Sequence, residues 1–194
     1  MQSEREHIVS RLLPLDSYRP HDPPPSDHAP AAVLVPLIEH PEGLSLLLTL
    51  RTRHLRKHAG QIALPGGRSE PGETPWQTAL REAHEEVGLD PELVDVVGLS
   101  EPFWARSGYL ITPVVGFVKP GFRVSPNPAE VDEVFEVPFD FVMDAGNHRM
   151  EPQTTAEGIQ REVLAMPYQD RYIWGMTAMM LQVLHTRLYG ASAA

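Results

Sequence analysis

Along the chain, apolar residues fall into short runs of strand length, interrupted by segments of helical period. Residues 3–13 place Ile8, Val9, Leu12 and Leu13 on one side of a short amphipathic helix. Residues 31–38 and 44–50 are almost continuously apolar and are separated by His40, Pro41, Glu42 and Gly43, which predicts a hairpin. A third strand candidate, residues 62–64, runs straight into Pro65, Gly66 and Gly67. Residues 95–99, 110–118 and 134–137 read as further strands, residues 162–165 show alternation, and residues 177–188 form a terminal helix with Met180, Leu181, Leu184 and Leu188 on one face. The best-marked element lies between these. Thr74 is placed to be an N-cap, Pro75 takes the first helical position, Gln77 the capping-box position, and Gly88 suits the left-handed residue past the end.

The prolines at 14, 20, 23, 24, 25 and 30 exclude regular helix and central strand from the segment before the hairpin. Residues 1–30 are therefore expected to be a helix and a proline-rich arm packed on a single domain, residues 31–190. Strands enclosed by a few helices make that domain a mixed α/β sandwich. A length of 194 residues with 42% hydrophobic content supplies one core of that size.

Charge and cysteine content narrow the chemistry. A formal charge of −10 argues against a nucleic-acid binder, which needs a basic face. An acidic protein acting on an anionic substrate must cancel charge locally, and a divalent cation with a few placed arginines does that. With no cysteine, disulfides, thiolate metal sites and a cysteine nucleophile are excluded. No run approaches the roughly 18 apolar residues that span a bilayer, and the charged start lacks the apolar core of a signal peptide. A cytoplasmic protein without a membrane partner is expected.

On the helix after Thr74, Glu82 and Glu86 are one turn apart and Glu85 is three residues from Glu82, so their carboxylates share a face. Three like charges there repel, and those nearest the helix C-terminus also face its negative end. A hard divalent cation gives the arrangement a purpose, because Mg²⁺ takes carboxylate oxygens together with waters and substrate phosphates. Glycines 66 and 67 let the backbone approach such an ion, and Arg81 can brace a carboxylate, Glu73 in the preceding loop being within reach.

Together these residues resemble the Nudix box. Gly67, Glu73, Arg81, Glu82, Glu85, Glu86 and Gly88 stand at its specified positions; of its apolar slots, Ala83 is small and Leu89 typical. A chance match in a chain of this size is about one in a million on average residue frequencies. The resemblance implies a Nudix-type α/β/α sandwich with a mixed sheet. It also implies hydrolysis of the diphosphate linkage of a nucleoside diphosphate derivative with Mg²⁺ or Mn²⁺. Glu82 and Glu86 are then the principal metal ligands, Glu85 joins with a further ion, and the Gly66 carbonyl completes the shell. Glu82, Glu85, Glu86 and Arg81 form the catalytic set.

The preceding run is basic, with Arg51, Arg53, His54, Arg56, Lys57 and His58 inside an acidic chain. From Leu47 to Gly67 it is similar to the additional signature of the coenzyme A pyrophosphatase subgroup, with Thr52, Ile62 and Leu64 as mild departures. That likeness implies cleavage of coenzyme A to 3′,5′-adenosine diphosphate and 4′-phosphopantetheine, with Arg51, Arg56, His58 and Gln61 binding substrate. Residues 127–131 and 173–178 are similar to other segments of the subgroup. The alternatives are a Nudix hydrolase of ADP-ribose or another nucleoside diphosphate derivative, and a non-catalytic nucleotide-binding module, which would usually have lost box carboxylates. Glu130 and Glu133 are candidates for the base. Trp174 is expected in the core and His84 exposed.

Overall fold

The expected hairpin is the centre of the protein. A computed structural model describes residues 2–19, 28–54, 59–154, 158 and 160–190. After helix α1 (Gln2–Arg11), strands β1 (Ala29–His40) and β2 (Gly43–Arg51) pair antiparallel, with Leu37 opposite Leu46. There follow β3 (Ile62–Ala63), β4 (Gly66–Arg68), helix α2 (Pro75–Val87), β5 (Val94–Leu99), β6 (Phe103–Ala105), β7 (Tyr109–Val118) and β8 (Val131–Pro138). Helix α3 (Phe139–Met143), strands β9 (Arg149–Thr154), β10 (Gln160–Tyr168) and β11 (Arg171–Trp174), and helix α4 (Met176–Tyr189) complete the order.

The main sheet runs β3-β2-β1-β7-β5, with β8 added on β2 and β6 on β7. It is mixed, as expected: β1 and β7 are parallel over Ala29 to Ile38, and the remaining pairs are antiparallel. Because β1 lies inside the sheet and is covered on both faces, its run is continuously apolar rather than alternating. Its side chains still divide by period two. Ala32, Leu34 and Ile38 pack towards α2 with Ala79, Ala83 and Val87. Ala31, Val35 and Leu37 pack on the opposite side, with Ile8 of α1, Phe139 of α3 and Leu181 and Leu184 of α4.

The small Ala83 has a packing reason. It is 1% exposed and lets α2 lie close over β1 and β4. β1 is long enough to serve two partners, pairing β2 near its end and β4 through Ala31, Ala32 and Val33 near its start. The Gly66–Arg68 segment is thereby wedged under α2.

The structure corrects several expectations. Val9 is 41% exposed, since Ile8 and Leu12, four residues apart, take the buried side, and the chain leaves α1 after Arg11, so that Leu13 forms a backbone bridge with Leu99. β6, β9, β11 and α3 are short elements that the apolar pattern did not single out. β9 carries Pro152 and mostly exposed residues, and its strand identity comes from pairing with β10 in a separate three-stranded sheet. Much of the proline arm, residues 20–27, lies outside the described residues. Among the described residues no helix is long and apolar enough to cross a membrane.

Candidate active site

The capping residues of α2 occupy the expected places. The Thr74 hydroxyl accepts from the Gln77 amide, the Gln77 side chain accepts from the Thr74 amide, Pro75 opens the helix, and Gly88 takes the left-handed conformation at φ 69°. This sets the phase of the helix. Ala79 and Ala83 face the sheet, and Glu82 and Glu86 face the Gly66–Arg68 segment.

Glu86 is 2% exposed. Its Oε2 accepts the Gly66 N–H at 3.1 Å and its Oε1 accepts Nη1 of Arg51 at 2.9 Å. Burial outweighs these partners and pushes its carboxyl up to about 7. Burial likewise raises Glu82, against the opposing pull of Arg81, whose Nη1 donates to it at 2.8 Å. Glu82 rests on Gly67 so closely that a Cβ there would stand 2.6 Å from its Oε1. Glu85 sits at the rim, with 57% of its side chain exposed, and meets Arg81 at 3.4 Å.

Arg81 ties the preceding loop to the helix. Nε and Nη2 donate to Glu73 at 2.8 and 3.1 Å, and Nη2 also donates to the Arg68 carbonyl at 3.0 Å. Glu73 further accepts from the Thr78 hydroxyl and the Glu70 amide, each at 2.8 Å. Arg81 first of all, then these donors, hold Glu73 down to about 2. A carboxyl lowered in the folded state contributes stability above its unfolded value near 4.5 and loses it as pH falls towards 2. Glu73→Gln is therefore expected to reduce stability by about 2–3 kcal/mol at pH 7. Chemical denaturation of both proteins at pH 7 and at pH 3 checks this: the gap should narrow sharply at the lower pH.

The loop after β7 completes the site by satisfying the end of α2. The Ser125 amide donates to the Val87 carbonyl at 2.7 Å and the Asn127 amide to the Glu86 carbonyl at 2.8 Å, so carbonyls left without helical partners are paired. The turn at Asn127 then brings Glu130 to 3.8 Å from Arg51. Glu133 points elsewhere: Arg171 binds it through two contacts of 2.5 and 2.6 Å and lowers its carboxyl.

Beside Gly66 and Gly67 lies a cavity of about 300 Å³ bordered by Arg51, Gln61, Tyr109 and Trp174. Thr177 closes its floor, the hydroxyl donating to the Ile62 carbonyl at 2.9 Å. Trp174 is only half-buried and lines this space rather than the core, because β11 is an edge strand whose ring turns to the cavity. Tyr109 reaches the same wall through the parallel pairing of β7 with β1, an association over some eighty positions that carries no local sequence signal. His84 is exposed, as expected. Arg56 and His58 lie outside the described residues.

The NUDIX domain model matches residues 28–163. The chain belongs to the Nudix hydrolase family. It is 41% identical to the Nudix hydrolase NudL of Photorhabdus laumondii, over 84% of this chain and 88% of that relative. It is equally similar to the NudL of Yersinia pestis, over 79% of this chain and 77% of that one. Among solved structures, the M. smegmatis Nudix hydrolase RenU superposes with a TM-score of 0.51 at 30% identity, covering 61% of this chain and 74% of that one. A C. elegans Ap4A hydrolase complex, 20% identical with a TM-score of 0.50 over 57% of this chain and 80% of that one, shares the fold.

Nudix hydrolases use divalent metal ions, and the residues of this member fit one. The donor set is carboxylate oxygen, suited to a hard cation. Glu86 is a buried acid whose charge folding alone disfavours, and the place a Cβ would take at Gly67 is filled by the Glu82 carboxylate. Among the described residues no three acidic or imidazole groups already converge as a cage. An ion that takes part of its shell from water and substrate phosphate does not require one. Gly66 meets Glu86 through its N–H.

Proposed function

We propose that this Nudix hydrolase cleaves the diphosphate linkage of coenzyme A or its derivatives, releasing 3′,5′-adenosine diphosphate and 4′-phosphopantetheine, with Mg²⁺ or Mn²⁺. The observation that carries the reading is the run from Leu47 to Gly67, with its basic stretch between Arg51 and His58 joined directly to the glycines under the box helix. Arg51, which opens that stretch, and Gln61, which follows it, border the cavity beside Gly66. A substrate carrying a third phosphate beyond its diphosphate suits such a run, because arginine binds phosphate through two parallel contacts.

In this reading Glu82 and Glu86 hold the ion and Glu85, at the rim, serves a further one. A divalent ion there neutralises diphosphate charge and lowers the pKa of the attacking water. The water oxygen forms a bond to phosphorus as the bridging P–O bond breaks, and a carboxylate takes the water's proton. Glu130 is that base: it faces Glu86 across Arg51, whereas Glu133 is engaged by Arg171. Glu130→Gln should lower kcat by about a hundredfold or more, the usual range for a lost general base. Glu133→Gln should stay near the unsubstituted rate. Steady-state kinetics on the two variants checks the assignment.

The substrate itself is tested by incubating the enzyme and metal with coenzyme A, ADP-ribose and NADH in parallel and weighing the products. 3′,5′-adenosine diphosphate formed fastest from coenzyme A supports the reading. Faster AMP release from ADP-ribose overturns it in favour of a broader nucleoside diphosphate hydrolase, and no turnover of any of the three overturns the coenzyme A assignment.

A further inference from the structure

Arg51 stands where it cannot remain once a divalent cation joins Glu86. Both oxygens of that carboxylate are engaged, one by the Arg51 guanidinium at 2.9 Å and the other by the Gly66 amide at 3.1 Å. The pair is enclosed, with 3% of the Glu86 side chain and 21% of Arg51 exposed. A dication on the same carboxylate would lie within a few ångströms of the guanidinium, and repulsion between cations is strong in surroundings so poor in water. Arg51 also meets Glu130, Nη2 to Oε2, at 3.8 Å. It borders the cavity beside Gly66, together with Gln61 and Trp174. Arg51 ends β2 just past the register slip that follows Leu50 and stays paired opposite Val131, so a change of place would fall on its side chain and not on its backbone.

We propose that Arg51 is a stand-in cation. It holds the Glu86 carboxylate in the metal-free protein, is displaced by the divalent ion, and turns into the cavity, where it meets an anionic group of the substrate. One side chain thus serves as a positioning residue for Glu86 in one state and as a phosphate ligand in the other. Metal raises affinity for an anionic substrate through Arg51, and by reciprocity substrate raises affinity for metal. The inference rests on the metal reading of Glu82 and Glu86, not on coenzyme A as the substrate.

The test measures Mn²⁺ binding alone, by electron paramagnetic resonance, with no substrate and no turnover. Arg51→Met and Arg51→Gln remove the competing cation and should bind Mn²⁺ about tenfold more tightly, within the usual range for coupled sites. Arg51→Lys keeps a cation and should stay near the unsubstituted affinity. Neutral variants that melt normally but bind Mn²⁺ equally or more weakly would overturn the proposal, since Arg51 would then support the ion. A readout without substitution is the Arg51 side-chain ¹⁵Nε–H signal, which should shift on Mg²⁺ saturation. A signal unmoved under saturating metal overturns the proposal as well. Absence of any Mn²⁺ binding by the unsubstituted protein would instead remove the metal reading, a distinguishable failure.

Discussion

Glu86→Gln is expected to reduce turnover by more than about a hundredfold, since even outer partners of a metal ligand are worth ten- to a hundredfold. The amide matches the carboxylate in size and keeps one oxygen, for the Gly66 N–H or for Arg51, while its NH₂ faces the other donor, and it is a poor ligand for a hard cation. The fold should survive with a thermal midpoint at neutral pH close to that of the unsubstituted protein, the lost acceptor being set against the relief of a buried charge. Burial already pushes this carboxyl up to about 7, so the substitution removes a charge that folding disfavours. Glu82→Gln should lose activity to a similar degree. Kinetics with Mg²⁺ and Mn²⁺, alongside thermal melts, checks both, and full activity in either folded variant would remove that residue from the metal site.

The second large effect separates two neighbouring glycines. At Gly67 an added Cβ would press on the end of a flexible side chain, Glu82, 2.6 Å from its Oε1. Gly67→Ala should therefore fold but displace that carboxylate, and a misplacement of about 1 Å at a reacting centre lowers rate by up to about a hundredfold. At Gly66 the Cβ would instead meet backbone, 2.6 Å from the Val33 Cα and against the Ala32 carbonyl. Neither can yield without parting β4 from β1. Gly66→Ala should then lower stability by at least about 1–3 kcal/mol, as overpacking does. Melting temperature and kcat measured on both variants distinguish them: activity lost with the fold retained at 67, stability lost at 66.

What the sequence made legible follows from how local each signal is. α2 was readable to the residue because its cap, first proline, capping-box glutamine and terminal glycine are all short-range devices. The spacing of Glu82 and Glu86 likewise needed only the helical period. The partners that finish the site come from far along the chain. Arg51 reaches Glu86 across 35 positions and Arg171 claims Glu133 across 38. Nothing in the sequence near Glu133 announces that a residue so far along the chain engages it. β9 and β11 escape the apolar pattern for a related reason: they are strands by virtue of β10 between them, not by their own composition.

The loop that closes the end of α2 has an architectural consequence. Ser125 and Asn127 bind the last carbonyls of the helix, and Glu130 follows directly on that turn. The carboxylate proposed to receive the ion and the one proposed to receive the proton are therefore fastened to one joint rather than to two independent scaffolds. Their separation is set by a few amide contacts. The end of β2 belongs to the same joint, since Arg51 meets both carboxylates and the Thr52 amide donates to the Glu130 carbonyl at 3.0 Å, whereas β11 reaches the cavity as an edge strand of the second sheet. A chain organised this way can change which molecule it admits while leaving its hydrolytic half untouched.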